Sequence, residues 1–164
     1  MKNEWVNYYK NRVGNGYTDY ASKRYAPFIN TIKSFKAKTI VEEGCGIGTI
    51  SKILGSNVES FDVNGGMVGL CSLNGVYART KSIITNFTAD LICSHGVLEH
   101  LSDFVIHSII KRPGVHVHYV PSNKYENASF GDERLMSAET WKAKFMPTNI
   151  FEFNGGKDLT LVWS

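Results

Sequence analysis

Three glycines that follow a strand-like segment are the residues in this sequence best suited to hold a ligand. Residues 40–48 read Ile-Val-Glu-Glu-Gly-Cys-Gly-Ile-Gly, and helix-like sequence follows at 49–54. A strand that leads through a glycine turn into a helix presents backbone N–H groups and a helix N-terminus to a ligand. A second strand-like segment, 58–62, ends in Asp62, an acid at the position where βαβ nucleoside sites accept hydrogen bonds from ribose hydroxyls. Together these features predict a site for an adenosine-containing ligand.

The spacing of the glycines separates three kinds of nucleotide site. A dinucleotide fingerprint reads Gly-x-Gly-x-x-Gly, whereas here the third glycine, Gly48, comes one residue early and Thr49 occupies the place of that glycine. A Walker-type phosphate loop would need Gly-Lys-Ser/Thr, which the sequence lacks. A nicotinamide oxidoreductase is therefore disfavoured, although it stays open as an alternative. In the plainest interpretation the glycines only allow a tight turn and Asp62 is a surface acid at a strand end.

The Glu-x-Gly-x-Gly-x-Gly arrangement at residues 42–48 resembles motif I of the class I S-adenosylmethionine (SAM) dependent methyltransferases. Further segments are similar to that family in the same order. Asp62 matches the acid after the second strand, and residues 89–101, with their Leu-Glu-His sequence, are similar to the fourth-strand segment. Residues 117–122 look like the fifth strand and its proline-bearing exit. The likeness covers roughly residues 38–164, and ordered motifs are more specific than one glycine loop.

The resemblance implies which residues would hold SAM and its product S-adenosylhomocysteine (SAH). The glycine loop would contact the methionine and ribose portions, and Asp62 the ribose hydroxyls. Val63 and Asn64 would flank the adenine, and Asn86 would lie where the family supplies an Asp or Asn for the adenine amino group. The implied cofactor residues are Glu42, Gly44, Cys45, Gly46, Gly48, Asp62, Val63, Asn64, Asn86, Ser94 and His95.

Catalytic candidates are few, because the sulfonium of SAM is already an activated leaving group and the site mainly aligns the reactants. His95 is expected at a strand end facing the cleft, where an ordinary pKa of about 6.5 would suit a general base; a histidine bonded to the backbone is the alternative. Tyr17 and Tyr20 could form a lid whose rings enclose the sulfonium, or could simply pack on the sheet. Neither Lys nor Arg adjoins Cys45 in the sequence, so packing within the loop is favoured over a nucleophilic role for this thiol.

Two further histidines, His116 and His118, share one face of the predicted fifth strand. Buried neutral imidazoles are the favoured interpretation. A metal site is the alternative, but no acidic residue stands at ligand spacing, so no metal is predicted.

The absence of certain motifs from the sequence disfavours some classes of methyl acceptor. Residues 94–97 read Ser-His-Gly-Val, not the Asn/Asp-Pro-Pro-aromatic motif of the methylases of adenine or cytosine amino groups. The net charge of +3 comes without a dense basic run, which disfavours nucleic acid. The resemblance thus implies methyl transfer to an O or N acceptor, more in keeping with a small molecule. The alternative is a SAM-binding subunit that works through a protein partner, and a homo-oligomer also stays open.

The pattern of elements predicts an α/β fold of three α-β-α layers, Rossmann-like, with a mainly parallel seven-stranded sheet and a C-terminal antiparallel hairpin. The third strand is expected at 82–85 and the fourth at 89–94, so almost no connection separates them. One domain is expected over 1–164, with a helical lid or cap at 1–36 and a SAM-binding core at 37–164. Three cysteines without a Cys-x-x-Cys pair, and no apolar leader or span, favour a cytoplasmic protein without membrane contact.

Overall fold

Seven strands form one sheet in the computed structural model, which describes residues 2–85, 87–128 and 132–164. The strands are β1 (Ile40–Glu43), β2 (Val58–Asp62), β3 (Ala78–Thr80), β4 (Leu91–His95), β5 (Val115–Pro121), β6 (Asn149–Phe153) and β7 (Asp158–Trp163). Their order is β3-β2-β1-β4-β5-β7-β6. Strands β1 to β5 are parallel, and β7 runs antiparallel to both β5 and β6. The predicted sheet with its C-terminal hairpin is confirmed.

Helices cover both faces of this sheet. They are α1 (Lys2–Lys10), α2 (Tyr17–Arg24), α3 (Ala26–Ser34), α4 (Thr49–Leu54), α5 (Gly65–Leu73), α6 (Asp103–Ile110) and α7 (Ala138–Phe145). Phe28 and Ile32 of α3 cluster with Val117 of β5 on one face, while Trp141 of α7 clusters with Leu161 of β7 on the other. All five side chains are fully buried, and each such burial is worth about 1.5–3 kcal/mol.

The N-terminal segment is helical, with a break around Gly14 and Gly16. Gly14 and Gly16 have φ of 75° and 71°, a left-handed conformation in the turn between α1 and α2, and α2 begins directly after Gly16 at Tyr17. Aromatic residues of this segment pack against the glycine loop and α5; they are Trp5, Tyr9 and Tyr17, which cluster with Ile47, Met67 and Leu70. Helices α1 and α2 therefore lie against the glycine loop and α5, at the carboxyl end of β1, whereas α3 packs on the face of the sheet.

The third strand lies earlier than expected, so the prediction of a strand at 82–85 is wrong. β3 is Ala78–Thr80, paired with Ser60–Asp62 of β2. This strand is at the edge of the sheet, and only Ala78 among its three residues is buried. A short edge strand with one buried residue has no apolar run for a sequence pattern to detect.

The adjacent isoleucines Ile83 and Ile84 favour a strand by type but lie in a turn. The N–H of Thr85 donates to the carbonyl oxygen of Ser82 at 3.1 Å, and Ile84 is 70% exposed. The connection from β3 to β4 therefore spans residues 81–90 and is not nearly absent, as the sequence suggested. This connection supplies part of the wall of the site described below.

The order of strands reverses next to β1. β1 pairs with β2 on one side and with β4 on the other. The sheet therefore continues through β2 and β3 in one direction and through β4 and β5 in the opposite direction. In open α/β sheets a crevice forms at such a point, outside the carboxyl ends of the strands. A ligand site is therefore expected among the residues that follow β1, β2 and β4.

Candidate functional site

The glycine loop between β1 and α4 depends on three residues in left-handed conformations. Gly44, Gly46 and Gly48 have φ of 65°, 56° and 72°. A Cβ at Gly44 would lie 2.5 Å from Cγ2 of Val97, and one at Gly48 would lie 2.4 Å from Sγ of Cys71. Both positions therefore require glycine, because the loop packs closely against the segment after β4 and against α5.

Asp62, at the end of β2, is tied to this loop. Its Oδ2 accepts a hydrogen bond from the N–H of Gly46 at 2.9 Å, and its Oδ1 accepts one from the N–H of Asn64 at 2.8 Å. Burial raises the pKa of the Asp62 carboxyl, and hydrogen bonds from the backbone of Asn64, Gly46 and Val63 oppose that rise. A carboxylate has about four acceptor positions, so Asp62 can still accept a hydrogen bond from a ligand hydroxyl.

Glu42 uses its carboxylate to hold the start of α4. Oε2 accepts hydrogen bonds from the N–H of Ser51 at 2.9 Å and from the Ser51 hydroxyl. The Ser51 hydroxyl also lies 2.6 Å from that of Ser60, which joins α4 to β2. Burial raises the pKa of Glu42 to about 7, against the opposing effect of the Ser51 hydrogen bonds. These contacts position the helix that follows the glycine loop.

A cavity of about 380 Å³ lies at the carboxyl ends of β1, β2 and β4. Its volume is within the range of small-molecule sites, about 300–1,000 Å³. The predicted residues on its wall are Glu42, Gly44, Cys45, Gly46, Asp62, Val63, Asn64, His95 and Tyr17. Other wall residues were not among the predicted ones: Trp5, Tyr9, Tyr25, Lys81, Phe87 and His100. The structure thus brings most of the predicted site residues to one cavity.

Three predicted residues are not on this wall. Gly48 faces α5, and Tyr20 is 54% exposed and stacks on Tyr17 with ring centroids 5.8 Å apart. Ser94 is fully buried and lies beside His118 of β5 on the opposite face of the sheet from His95, because neighbouring residues of a strand alternate between the two faces. Asn86 lies outside the described residues.

Ser94 begins a buried chain of hydrogen bonds with the two histidines of β5. The Nε2–H of His116 donates to the carbonyl oxygen of Arg112 at 2.9 Å, because that oxygen can only accept. Nδ1 of His116 then accepts from Nε2 of His118 at 3.4 Å, and the Ser94 hydroxyl donates to Nδ1 of His118 at 2.7 Å. Burial lowers the pKa of both histidines, so both are neutral, as the favoured interpretation predicted.

His95 is enclosed by aromatic rings. The ring centroids of Tyr25 and Tyr119 lie 4.2 Å and 4.3 Å from that of the imidazole, and Phe28 lies 5.9 Å away. Burial lowers the pKa of His95 to about 4, mainly through loss of solvation. At neutral pH the imidazole is therefore uncharged, and it is a weaker base than the sequence expectation assumed.

His100 and Asp132 form a pair on another part of the cavity wall. Nδ1 of His100 lies 2.8 Å from Oδ1 of Asp132, and the Trp5 ring meets the imidazole edge-on at 5.3 Å. The His100 side chain is 16% exposed. A histidine oriented by a carboxylate is a recurring proton-accepting arrangement. His100 belongs to the Leu-Glu-His segment, but no feature of the sequence indicated that Asp132 would be its partner.

Glu99, next to His100 in the chain, is buried without full hydrogen bonding. The residue is 2% exposed, and its Oε2 has no hydrogen-bond partner within the part of the chain that the structure describes. Loss of solvation raises the pKa of Glu99 to about 8, with smaller contributions from the charges of Glu133 and Asp132. Glu99 is therefore protonated in the folded protein at neutral pH.

This protonation predicts a pH-dependent stability that Glu99→Gln should remove. An unfolded glutamate ionises near pH 4.5, whereas the folded one binds its proton up to about pH 8. The free energy of unfolding should therefore fall by up to about 1.4 kcal/mol per pH unit across that window as pH rises. We expect Glu99→Gln to be increasingly stabilised relative to the natural chain from pH 5 to pH 8 in urea unfolding. Glu126→Gln, at an exposed position, is the control; parallel curves for Glu99→Gln and the natural chain would contradict the prediction.

Stacked aromatic rings form the wall beyond Asp62. Phe61 and Phe87 stack with centroids 5.0 Å apart and planes 6° from parallel. Nζ of Lys81 lies 4.6 Å and 4.4 Å from these two ring centroids. Lys81 and Phe87 belong to the connection after β3, which the misplaced strand prediction had reduced to almost nothing.

No family model and no curated protein matches the sequence. Solved structures do match the fold. The DhpI–SAH complex has a TM-score of 0.69 at 13% identity, covering 99% of this chain and 95% of that one. The methyltransferase domain of bacterial CtHen1 has a TM-score of 0.66 at 16% identity, covering 88% of this chain and 98% of that one. Magnesium protoporphyrin IX methyltransferase from Synechocystis with bound SAH has a TM-score of 0.65 at 12% identity, covering 93% of this chain and 85% of that one.

These likenesses establish the fold. The chain has the Rossmann-like fold of the class I SAM-dependent methyltransferases, as the ordered motifs predicted. Within the described residues, no helix has both the length and the apolar character needed to cross a membrane.

Proposed function

We propose that this protein is a SAM-dependent methyltransferase that acts on an O or N acceptor. One observation carries the proposal: the Asp62 carboxylate binds the Gly46 amide and borders a cavity at the point where the strand order reverses. This is the arrangement expected for a nucleoside whose ribose hydroxyls meet the acid. The proposal is supported by the fold shared with DhpI and the Synechocystis enzyme, both of which are seen with SAH.

The residues present fit that cofactor. Gly44 and Gly46 of the glycine loop lie on the cavity wall, and Asp62 keeps acceptor capacity for a hydroxyl. SAM would supply a methyl group already activated by its sulfonium. The chain would then orient the acceptor and exclude water, a task suited to the aromatic wall of Trp5, Tyr9 and Tyr25.

A small molecule is the proposed acceptor. Aromatic side chains line the cavity on the side of the N-terminal helices, and such walls favour apolar or planar ligands. One structural neighbour is by its name a methyltransferase of magnesium protoporphyrin IX, a planar small molecule. Where the acceptor must lose a proton, His100 oriented by Asp132 is the better candidate base, because His95 is a weak one. The proposed lid role of Tyr17 depends on its place on the same wall.

The test begins with ligand binding measured by calorimetry. We expect saturable one-to-one binding of SAH and SAM, and no binding of NAD. Preference for NAD would replace the proposal with an oxidoreductase. Release of SAH from SAM would then be followed with a panel of phenols, amines and porphyrins, with RNA as a comparison. Turnover with a small molecule supports the proposed acceptor class, whereas turnover with RNA alone would contradict it.

A further inference from the structure

Three tyrosine side chains on the cavity wall have hydroxyls that the protein itself does not use. They belong to Tyr9, Tyr17 and Tyr25, called the wall tyrosines below. None of these hydroxyls has a hydrogen-bond partner within the described residues, yet each keeps accessible surface, unlike Nε2 of His95. Burial raises the pKa of all three, so they stay protonated at neutral pH and can donate hydrogen bonds. An oxygen atom of a ligand would give these donors an acceptor.

The wall tyrosines continue a row of rings that begins at His100. Trp5 meets the imidazole edge-on with centroids 5.3 Å apart, and the Tyr9 ring lies 6.2 Å from that of Trp5 with planes 6° from parallel. The Tyr17 ring follows at 6.4 Å from Tyr9, and both hydroxyls are near enough to that of Tyr25 to affect its pKa. Such a row suits a planar ring that carries oxygen substituents.

His100 offers an acceptor at the start of this row. Its Nδ1–H donates to Oδ1 of Asp132 at 2.8 Å, because a carboxylate oxygen can only accept. In the neutral imidazole Nε2 then carries the lone pair. A ligand that fits both ends of the row therefore presents an O–H or N–H group to His100 and an acceptor oxygen to the wall tyrosines.

The charges on the wall disfavour an anionic ligand at this end. Among the described wall residues the only lysine or arginine is Lys81, which lies over the stacked phenylalanines beyond Asp62. The formal charge beside the row of rings is the carboxylate of Asp132. Arg12 packs over the Tyr8 ring at 3.7 Å and is not on the wall. A ligand carboxylate would be buried there without a cation, which costs far more than burying a hydrogen-bonded neutral oxygen.

We propose that the methyl acceptor is an uncharged planar phenol that carries a second oxygen substituent. This inference rests on the proposed function and names its acceptor class. The phenolic hydroxyl donates to Nε2 of His100, and the second oxygen accepts from the wall tyrosines. A phenol suits an imidazole base because it loses its proton near pH 10, as tyrosine does, whereas an aliphatic amine is a cation at neutral pH.

His100 receives the proton in this assignment. The phenolic oxygen takes the methyl carbon from sulfur, which keeps the electron pair of the broken bond, and the phenolic proton passes to Nε2. The resulting imidazolium lies beside the carboxylate of Asp132. We expect His100→Gln, whose amide oxygen still accepts the hydroxyl, to lower kcat about 100-fold or more with little change in acceptor affinity. An unchanged kcat would show that the proton goes elsewhere.

Calorimetry on the SAH-bound natural chain tests the acceptor class with matched rings. The ligands are methyl 3,4-dihydroxybenzoate, its free acid 3,4-dihydroxybenzoate, and methyl 3,4-diaminobenzoate. We expect the dihydroxy ester to bind at least about 10-fold more tightly than the anion, and to release SAH from SAM faster than the diamino ester. Tighter or equal binding of the anion, faster turnover of the diamino ester, or binding of none of the three would overturn the proposal. A chain that does not bind SAH at all would instead refute the proposed function.

Tyr17→Phe and Tyr25→Phe each remove one hydroxyl and keep the ring. We expect each variant to bind methyl 4-hydroxybenzoate about 3- to 10-fold more weakly, as for one lost hydrogen bond, and to bind 4-propylphenol, which lacks the second oxygen, like the natural chain. Tyr77→Phe is the matched control, because Tyr77 is 76% exposed and is not on the cavity wall. Equal losses for the two ligands, or no loss for either in both folded variants, would refute the role of these hydroxyls.

Discussion

Asp62→Ala is expected to weaken the binding of SAH by about 2–3 kcal/mol, or roughly 30- to 150-fold. The substitution removes the charged acceptor proposed for the ribose hydroxyls. It also frees the N–H groups of Gly46 and Asn64, which Asp62 binds at 2.9 Å and 2.8 Å, so the glycine loop loses the contact that fixes its shape. Calorimetric titration of the folded variant with SAH measures the effect.

Asp90→Ala provides a matched control. Oδ2 of Asp90 also accepts two backbone hydrogen bonds, from the N–H groups of Lys38 and Thr39, both at 2.9 Å. Those contacts lie at the amino ends of β1 and β4, whereas the cavity lies at the carboxyl ends of the same strands. Asp90→Ala should therefore bind SAH like the natural chain. An unchanged affinity in folded Asp62→Ala, or an equal loss in both variants, would contradict the role given to Asp62.

Arg112→Met is expected to lower the free energy of unfolding by about 3–5 kcal/mol, because it leaves a buried carboxylate without its partner. The guanidinium of Arg112 binds Glu43 through two hydrogen bonds, Nη1 to Oε1 at 2.6 Å and Nη2 to Oε2 at 2.7 Å. Their side chains are 8% and 1% exposed. Nη1 also donates to the carbonyl oxygens of Ile83 and Thr85, so Arg112 holds the segment that carries part of the cavity wall. Urea unfolding at neutral pH measures the loss.

Two further variants show whether the loss comes from the unpaired charge. Arg79→Met removes an exposed arginine that lies 3.2 Å from Glu59, and little change in stability is expected there. The double variant Glu43→Leu with Arg112→Met removes both buried charges and should be more stable than Arg112→Met alone. A double variant that is no more stable than the single one would show that the packing of Arg112, and not its charge, carries the effect.

Local sequence was enough to predict the features that define the crevice. A β-branched run followed by closely spaced glycines can hardly be other than a strand and a tight turn, and Asp62 ends the next strand at a fixed distance along the chain. The glycines at 14 and 16 and the Asn154-Gly155-Gly156 turn likewise act through their own backbone preferences. Each of these signals lies within a few residues, so a pattern along the chain detects it.

The electrostatic character of the site was decided by contacts between residues far apart in the chain. Arg112 meets Glu43 across 69 positions, and His100 meets Asp132 across 32. Burial then moved the pKa of His95 down to about 4 and that of Glu99 up to about 8. Such shifts depend on how much water the surrounding fold removes, which no residue type or spacing records.

The order of glycines, acid and strands in the sequence was thus sufficient to determine the fold and the place of the crevice, because those features are local or follow from the alternation of strands and helices. The tertiary structure alone decided where the edge strand β3 lies, which cavity-wall residues the connection after it contributes, and which polar atoms lack partners among the residues that the structure describes. Pairing at a sheet edge and desolvation in the interior both arise only when distant segments pack together.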